Sequence, residues 1–181
     1  MLRKSFPKAT RRSFLQTAAL GGTAAALTPS PGSARELSAA TKDSAAYEPK
    51  PSELDEITLI ELQDGLKSGK FTARFLVEKY WARVSDIDMR TDNGRPALNS
   101  VIEMNPDALS TADILDKERK AGKLRGPMHG IPVLIKDNIA TDDRMMTTAG
   151  SLALVGAKAP KDSFVAQKLR AAGAIVLGKT N

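Results

Sequence analysis

Lys136 closes the apolar run Ile131-Pro132-Val133-Leu134-Ile135. A lysine at the margin of a dry core has its charged form disfavoured by desolvation, so its pKa falls. A neutral amine near pH 7 can take a proton from a hydroxyl, which an ordinary surface lysine cannot do. A lysine at a strand end equally suits an ammonium that snorkels to solvent along its own aliphatic stem, the commoner fate. Spacing alone leaves both readings standing.

The other reactive residue types point to less. His129 is the single histidine and sits in a Gly/Pro turn. One histidine cannot build a multi-histidine metal site; it reads as a hydrogen-bonding turn residue rather than a hydrolytic base. Asp142-Asp143 has no further ligand at cation-binding spacing and reads as solvated loop charge. Met145-Met146 reads as a core edge rather than a substrate pocket. There is no cysteine, which removes disulfides, thiolate metal sites and cysteine nucleophiles. Gly173-Ala-Ile-Val-Leu-Gly178-Lys179-Thr180 reproduces the phosphate-loop pattern letter for letter. A phosphate loop, however, follows a strand and opens a helix. Here a helical pattern precedes Gly173 and the middle residues are themselves an apolar strand, so no nucleotide site is expected.

The elements that must position these residues follow from periodicity and punctuation. Thr58 and Glu61 form a capping box before Leu59, Leu62 and Leu66 at helical spacing, and Gly69 ends that helix. Thr72 begins a second helix reaching about Ile87, and residues 89–98 read as a loop. Val101–Met104 is a short strand candidate. Pro106 is expected in the first turn of a third helix, closed by Gly122. Ile131–Lys136 is a buried-type strand, residues 137–162 are irregular, and Asp162 or Ser163 caps a helix reaching Ala172. Ala174–Leu177 is a second buried-type strand. Helices alternating with continuous apolar strands imply α/β architecture.

Residues 126–181 carry a longer signature: Gly-Pro-x-His-Gly-Ile-Pro at 126–132, Lys-Asp-Asn at 136–138, Thr-Thr-Ala-Gly-Ser at 147–151, and Leu-Arg-x-Ala-Gly-Ala running to Gly-Lys-Thr-Asn at 169–181. This stretch resembles the amidase-signature family almost throughout, and the likeness extends more weakly back to about Leu54. The resemblance implies a mixed β-sheet core covered by helices, of which this chain is the N-terminal part, ending before the serine-containing loop. It also implies hydrolysis of carbon–nitrogen amide bonds by a Ser-Ser-Lys mechanism without metal or cofactor. In that mechanism one serine attacks the carbonyl and a second relays its proton to a neutral lysine. The motif lysine falls on Lys136 alone. No Gly-Ser-Ser-Gly-Gly stretch occurs in these residues, and Ser151 belongs to a different family loop. The chain by itself is therefore expected to be inactive on amides. The competing expectation is a catalytically inactive remnant or a partner-binding fragment.

The first residues read as an address. Arg3, Lys4, Lys8, Arg11 and Arg12 precede a weakly apolar stretch from Phe14 to Leu27 and a Pro/Ser/Gly-rich segment, the three regions of an export signal. The apolar stretch is shorter than the ~20 residues that span a bilayer, so no stable membrane anchor is expected. Thr10-Arg11-Arg12-Ser13-Phe14-Leu15-Gln16 resembles the twin-arginine motif, with Arg11, Arg12, Phe14 and Leu15 as the recognised residues and Gln16 where lysine is usual. That resemblance implies the twin-arginine export machinery as a partner and a periplasmic or secreted product. Cleavage is expected after Ala34 or Ala40. The division is then a signal at 1–34, a polar linker at 35–52 and an amidase-like portion at 53–181. The net charge of +6 sits mostly in the signal: residues 1–34 hold five basic residues and no acid, and the rest hold 22 basic against 21 acidic. With aromatics at 4%, neither a basic footprint nor a stacking platform for nucleic acid is present. The expected substrate is a small-molecule or peptide amide.

Overall fold

The computed structural model describes residues 48–91 and 96–181. Arg11, Arg12, Phe14 and Leu15, both candidate cleavage positions and most of the linker lie outside the described residues. Those described fall in one compact unit, Tyr47–Asn181.

Helix α1 (Leu59–Ser68) starts where the sequence asks it to. Thr58 Oγ1 accepts from Glu61 N–H at 3.2 Å while Glu61 Oε2 accepts from Thr58 N–H at 2.8 Å, and Gly69 closes the helix at φ +80. This reciprocal cap satisfies two orphan donors. Helix α2 (Ala73–Arg83) is capped by Thr72, whose hydroxyl accepts from Phe75 N–H at 3.0 Å. Asp116 adds a second cap from a neighbouring helix, accepting from Ala73 N–H at 2.8 Å and Arg74 N–H at 3.1 Å. The expected continuation of α2 to about residue 87 is a π-helical turn, Val84–Asp88. It delivers Asp88 into the interior, where its carboxylate accepts from the N–H of Ser100 and Val101 and from the Ser100 hydroxyl.

Strand β1 (Val101–Met104) leads to helix α3 (Ala108–Lys120). Pro106 lies in the turn before that helix rather than in its first turn, because Asn105 organises the turn. Its Oδ1 accepts from Asp107 N–H at 2.9 Å and its buried Nδ2 donates to the Val176 carbonyl at 2.6 Å. Strand β2 (Pro132–Lys136), a 3₁₀ turn (Leu152–Leu154), helix α4 (Phe164–Ala171) and strand β3 (Ile175–Thr180) complete the described elements. Between the two proposed caps of α4 the structure selects Ser163, whose hydroxyl accepts from Ala166 N–H at 3.3 Å.

The sheet is mixed, in the order β1-β3-β2, with β3 antiparallel to β1 and parallel to β2. The connection from β2 through α4 to β3 is the helical crossover that parallel neighbours need. Central β3 is buried from Ile175 to Lys179. Ile175 and Leu177 pack on Ala73, Val77, Ala108, Ala112 and Leu115 of α2 and α3. Val176 packs on the other side with Ile135 and Met145. The fold class expected from sequence, mixed α/β with helices over a small sheet, is the one observed.

Candidate functional site

The parallel strands β2 and β3 end side by side, Lys136 opposite Thr180 and Ile135 opposite Lys179. Crevices beyond the carboxyl ends of parallel strands are where open α/β sheets bind ligands. Two lysines therefore stand at this end, and their environments differ sharply.

Ile135 is buried, but the side chain of Lys136 is exposed. The expected dry-core margin stops one residue short of it. Its backbone, by contrast, is held. Its carbonyl accepts from Ile139 N–H at 2.9 Å, and the next amide, of Asp137, donates to the Thr180 carbonyl at 2.9 Å. The Asp137 carboxylate is buried and accepts from both the N–H and the hydroxyl of Thr148. Lys136 is thus a free amine on a fastened strand end.

Desolvation acts instead on Lys179, which is fully buried. Burial lowers its pKa, and the negative charges of Asp137, Asp143 and Glu103 draw it partly back up. Its ammonium donates to the Ile139 carbonyl at 2.8 Å and to Thr147 Oγ1 at 3.0 Å. Strict alternation along β3 would send residue 179 to the face of Ile175 and Leu177. A bulge interrupts it: Val133 faces Val176 but Leu134 faces Gly178, leaving Leu177 as the extra residue. Such a bulge re-aims the side chains beyond it, and Lys179 reaches the 139–147 loop. The phosphate-loop lettering therefore describes a strand whose lysine is spent inside the fold. Sequence reading missed this role; the signal available was a charge inside an otherwise apolar strand.

Other candidate residues fall as follows. His129 is buried in its turn, its Nδ1 accepting from Arg125 N–H at 3.1 Å and its Nε2 lying 2.9 Å from the Leu115 carbonyl. With Nδ1 engaged by a donor, the proton belongs on Nε2, and neither nitrogen is left for a substrate. Asp142 is exposed as expected, but Asp143 corrects the solvated-charge reading. It accepts from Arg170 Nη2 at 2.5 Å, from Met145 N–H at 2.9 Å and from Thr141 Oγ1 at 3.1 Å. Its side chain keeps only 9% of its exposure. A helix α4 arginine claims it, which loop composition does not reveal. Met145 is 1% exposed, inside the core rather than at its edge. Ser151 is exposed and its amide closes the loop on the Thr148 carbonyl at 2.8 Å.

Comparison with known proteins settles the family. The family model described as Amidase matches residues 84–181, which span β1, β2, β3 and both strand-end lysines. This chain belongs to the amidase family. Among solved structures, the peptide amidase of Stenotrophomonas maltophilia is 46% identical with a TM-score of 0.66, the match covering 72% of this chain and 26% of that one. An amidase family protein of Bacillus anthracis is 36% identical with a TM-score of 0.64, over 71% of this chain and 25% of its own. A subunit of the glutamyl-tRNA(Gln) amidotransferase of Chloroflexus aurantiacus is 38% identical over 130 residues, 71% of this chain and 25% of the relative. The amidase-family chain thus spans about a quarter of the length of the relatives it matches.

Proposed function

We propose that this chain supplies the proton-accepting lysine of an exported serine amidase that cleaves carbon–nitrogen amide bonds. The observation that carries the reading is Lys136: an exposed amine at the carboxyl end of β2, on a backbone pinned to β3 and to the 139–148 loop, in a chain of the amidase family. In this mechanism a serine oxygen attacks the amide carbon, and a second serine relays the proton to the Lys136 amine. The C–N bond breaks with return of a proton to the leaving amine, and water then hydrolyses the acyl-enzyme. Both serines belong to a Gly/Ser-rich segment that these 181 residues do not contain. The likeness to a peptide amidase makes peptide amides the first substrates to try. The reading places the protein in the periplasm or outside the cell, delivered by the twin-arginine machinery through Arg11 and Arg12.

The test has two parts. The purified 181-residue chain is assayed on an amidated peptide and an aryl amide, and no turnover is expected. A chimera then replaces the matching segment of the Stenotrophomonas peptide amidase with residues 48–181. Turnover abolished by Lys136→Ala is the expected result. A folded chimera that hydrolyses amides equally well with and without the Lys136 amine would overturn the assignment. So would Lys136-dependent turnover by the isolated chain, which demands a nucleophile within it.

A further inference from the structure

Lys179 is the largest fully buried side chain in the described residues, and it carries a charged group without forming an ion pair there. Its ammonium meets a carbonyl and a hydroxyl instead. Burying an ammonium whose direct partners are neutral costs stability, only partly offset by the negative charges of Asp137, Asp143 and Glu103, and a methionine of similar length would fill the site without that cost. What the lysine does that methionine cannot is grip two points of one loop.

Both points connect to the strand end that carries Lys136. Ile139, whose carbonyl takes the ammonium, donates its own N–H to the Lys136 carbonyl. Thr147, whose hydroxyl takes the second bond, adjoins Thr148, which holds the Asp137 carboxylate next to Lys136. Met146 N–H is held by Glu103 Oε2 at 2.8 Å, and Glu103 is the cross-strand partner of Lys179. The loop is therefore tied to β3 at both flanks, through one side chain.

We propose that Lys179 is a positioning residue: by fastening Ile139 and Thr147 to the end of β3 it sets the geometry of the strand end that presents Lys136. This rests on the reading of Lys136 as the reacting amine. The role of Lys179 is exerted through the loop and not by contact with substrate.

The test is amide hydrogen exchange on the purified full chain, which needs no turnover and so is independent of whether the amidase chemistry holds. In Lys179→Met, the amides of Ile139, Met146 and Thr148 are expected to exchange about tenfold faster or more, as for a locally released segment. The amides of Leu62 and Leu76, in α1 and α2, should keep their rates. In the peptide-amidase chimera Lys179→Met should also lower kcat with KM little changed, which a purely space-filling role for residue 179 would not produce. Thr147→Val removes one acceptor without touching the buried lysine and should reproduce part of the loop effect; it decides the matter if Lys179→Met does not fold. Loop rates unchanged in Thr147→Val and in any folded Lys179→Met, or rates rising equally in loop and helices, would overturn the inference. An unaltered kcat in the chimera beside a loosened loop would likewise reduce Lys179 to a structural lysine.

Discussion

Gly173 lies against His129 so closely that a Cβ on residue 173 would stand 2.7 Å from His129 Cα and 3.2 Å from its Nδ1. The contact joins the turn before β2 to the turn before β3, and Gly130 N–H donates to the Gly173 carbonyl at 2.8 Å across it. The two parallel strands thus leave from one point, and their far ends carry Lys136 and Lys179.

Gly173→Ala is expected to be costly for two reasons. Residue 173 has φ +85, which an alanine adopts only with strain, and the new methyl meets backbone that cannot yield as a flexible side chain would. Together these come to about 3 kcal/mol. Gly122 shares the left-handed backbone, at φ +71, but has open space around it, so Gly122→Ala should cost only about 1 kcal/mol. Urea denaturation of the two variants checks the difference; equal losses would show that the close approach to His129 is irrelevant.

Asp88 makes part of the stability pH-dependent. Burial pushes its carboxyl pKa up, but the Ser100 hydroxyl and the N–H groups of Val101 and Ser100 outweigh this and hold it below the ordinary value. A carboxyl depressed in the folded state contributes stability that is present above its unfolded pKa. That stability is lost as pH falls through the folded one. The wild-type chain should therefore lose stability from about pH 4 downward, near the usual aspartate value. Asp88→Ala should lose about 2 kcal/mol at neutral pH by leaving the buried Val101 N–H unpaired, and its own acid decline should be shallower. Identical acid limbs in the two proteins would remove Asp88 from the account.

Lys136→Ala separates chemistry from folding. The side chain is exposed and makes no hydrogen bond or ion pair among the described residues, so the substitution should change stability by less than about 0.5 kcal/mol. Thermal unfolding of the purified chain measures it. A loss well beyond that would make Lys136 a structural lysine and weaken any reading of lost turnover in the chimera.

Export can be checked without activity. Replacing Arg11 and Arg12 together by lysine keeps the charge at these positions and removes only the paired guanidinium groups. On the proposed twin-arginine route, the doubly substituted chain is expected to accumulate in the cytoplasm of a bacterium with a functional twin-arginine system. Normal appearance of the product in the periplasm would rule out that route.

Much of the fold is legible locally because its signals are local. The Thr58–Glu61 cap, Thr72 at the start of α2 and the apolar runs of β2 and β3 are all written within a few residues of where they act. Local signals also misplace Pro106, because the turn it occupies is organised by Asn105 reaching across to the Val176 carbonyl, a partner 71 positions away. Loop composition likewise makes Asp143 look like solvated charge, because the arginine that pairs with it arrives on α4, 27 positions later.

The sequence by itself determined the family and the α/β alternation, and it singled out Lys136 for the role proposed above, since each depends on residue type and spacing along the chain. Only the tertiary structure decided which lysine loses its water. Solvent exposure depends on which elements pack over a residue, and the apolar run before Lys136 ends at the last buried position, Ile135. One strand over, a bulge in β3 turns Lys179 inward beneath the 139–147 loop. Desolvation follows that packing rather than the hydrophobicity of neighbours in sequence, so the charge inside the apolar run of β3 marks Lys179 as unusual while only the packing tells the two lysines' surroundings apart.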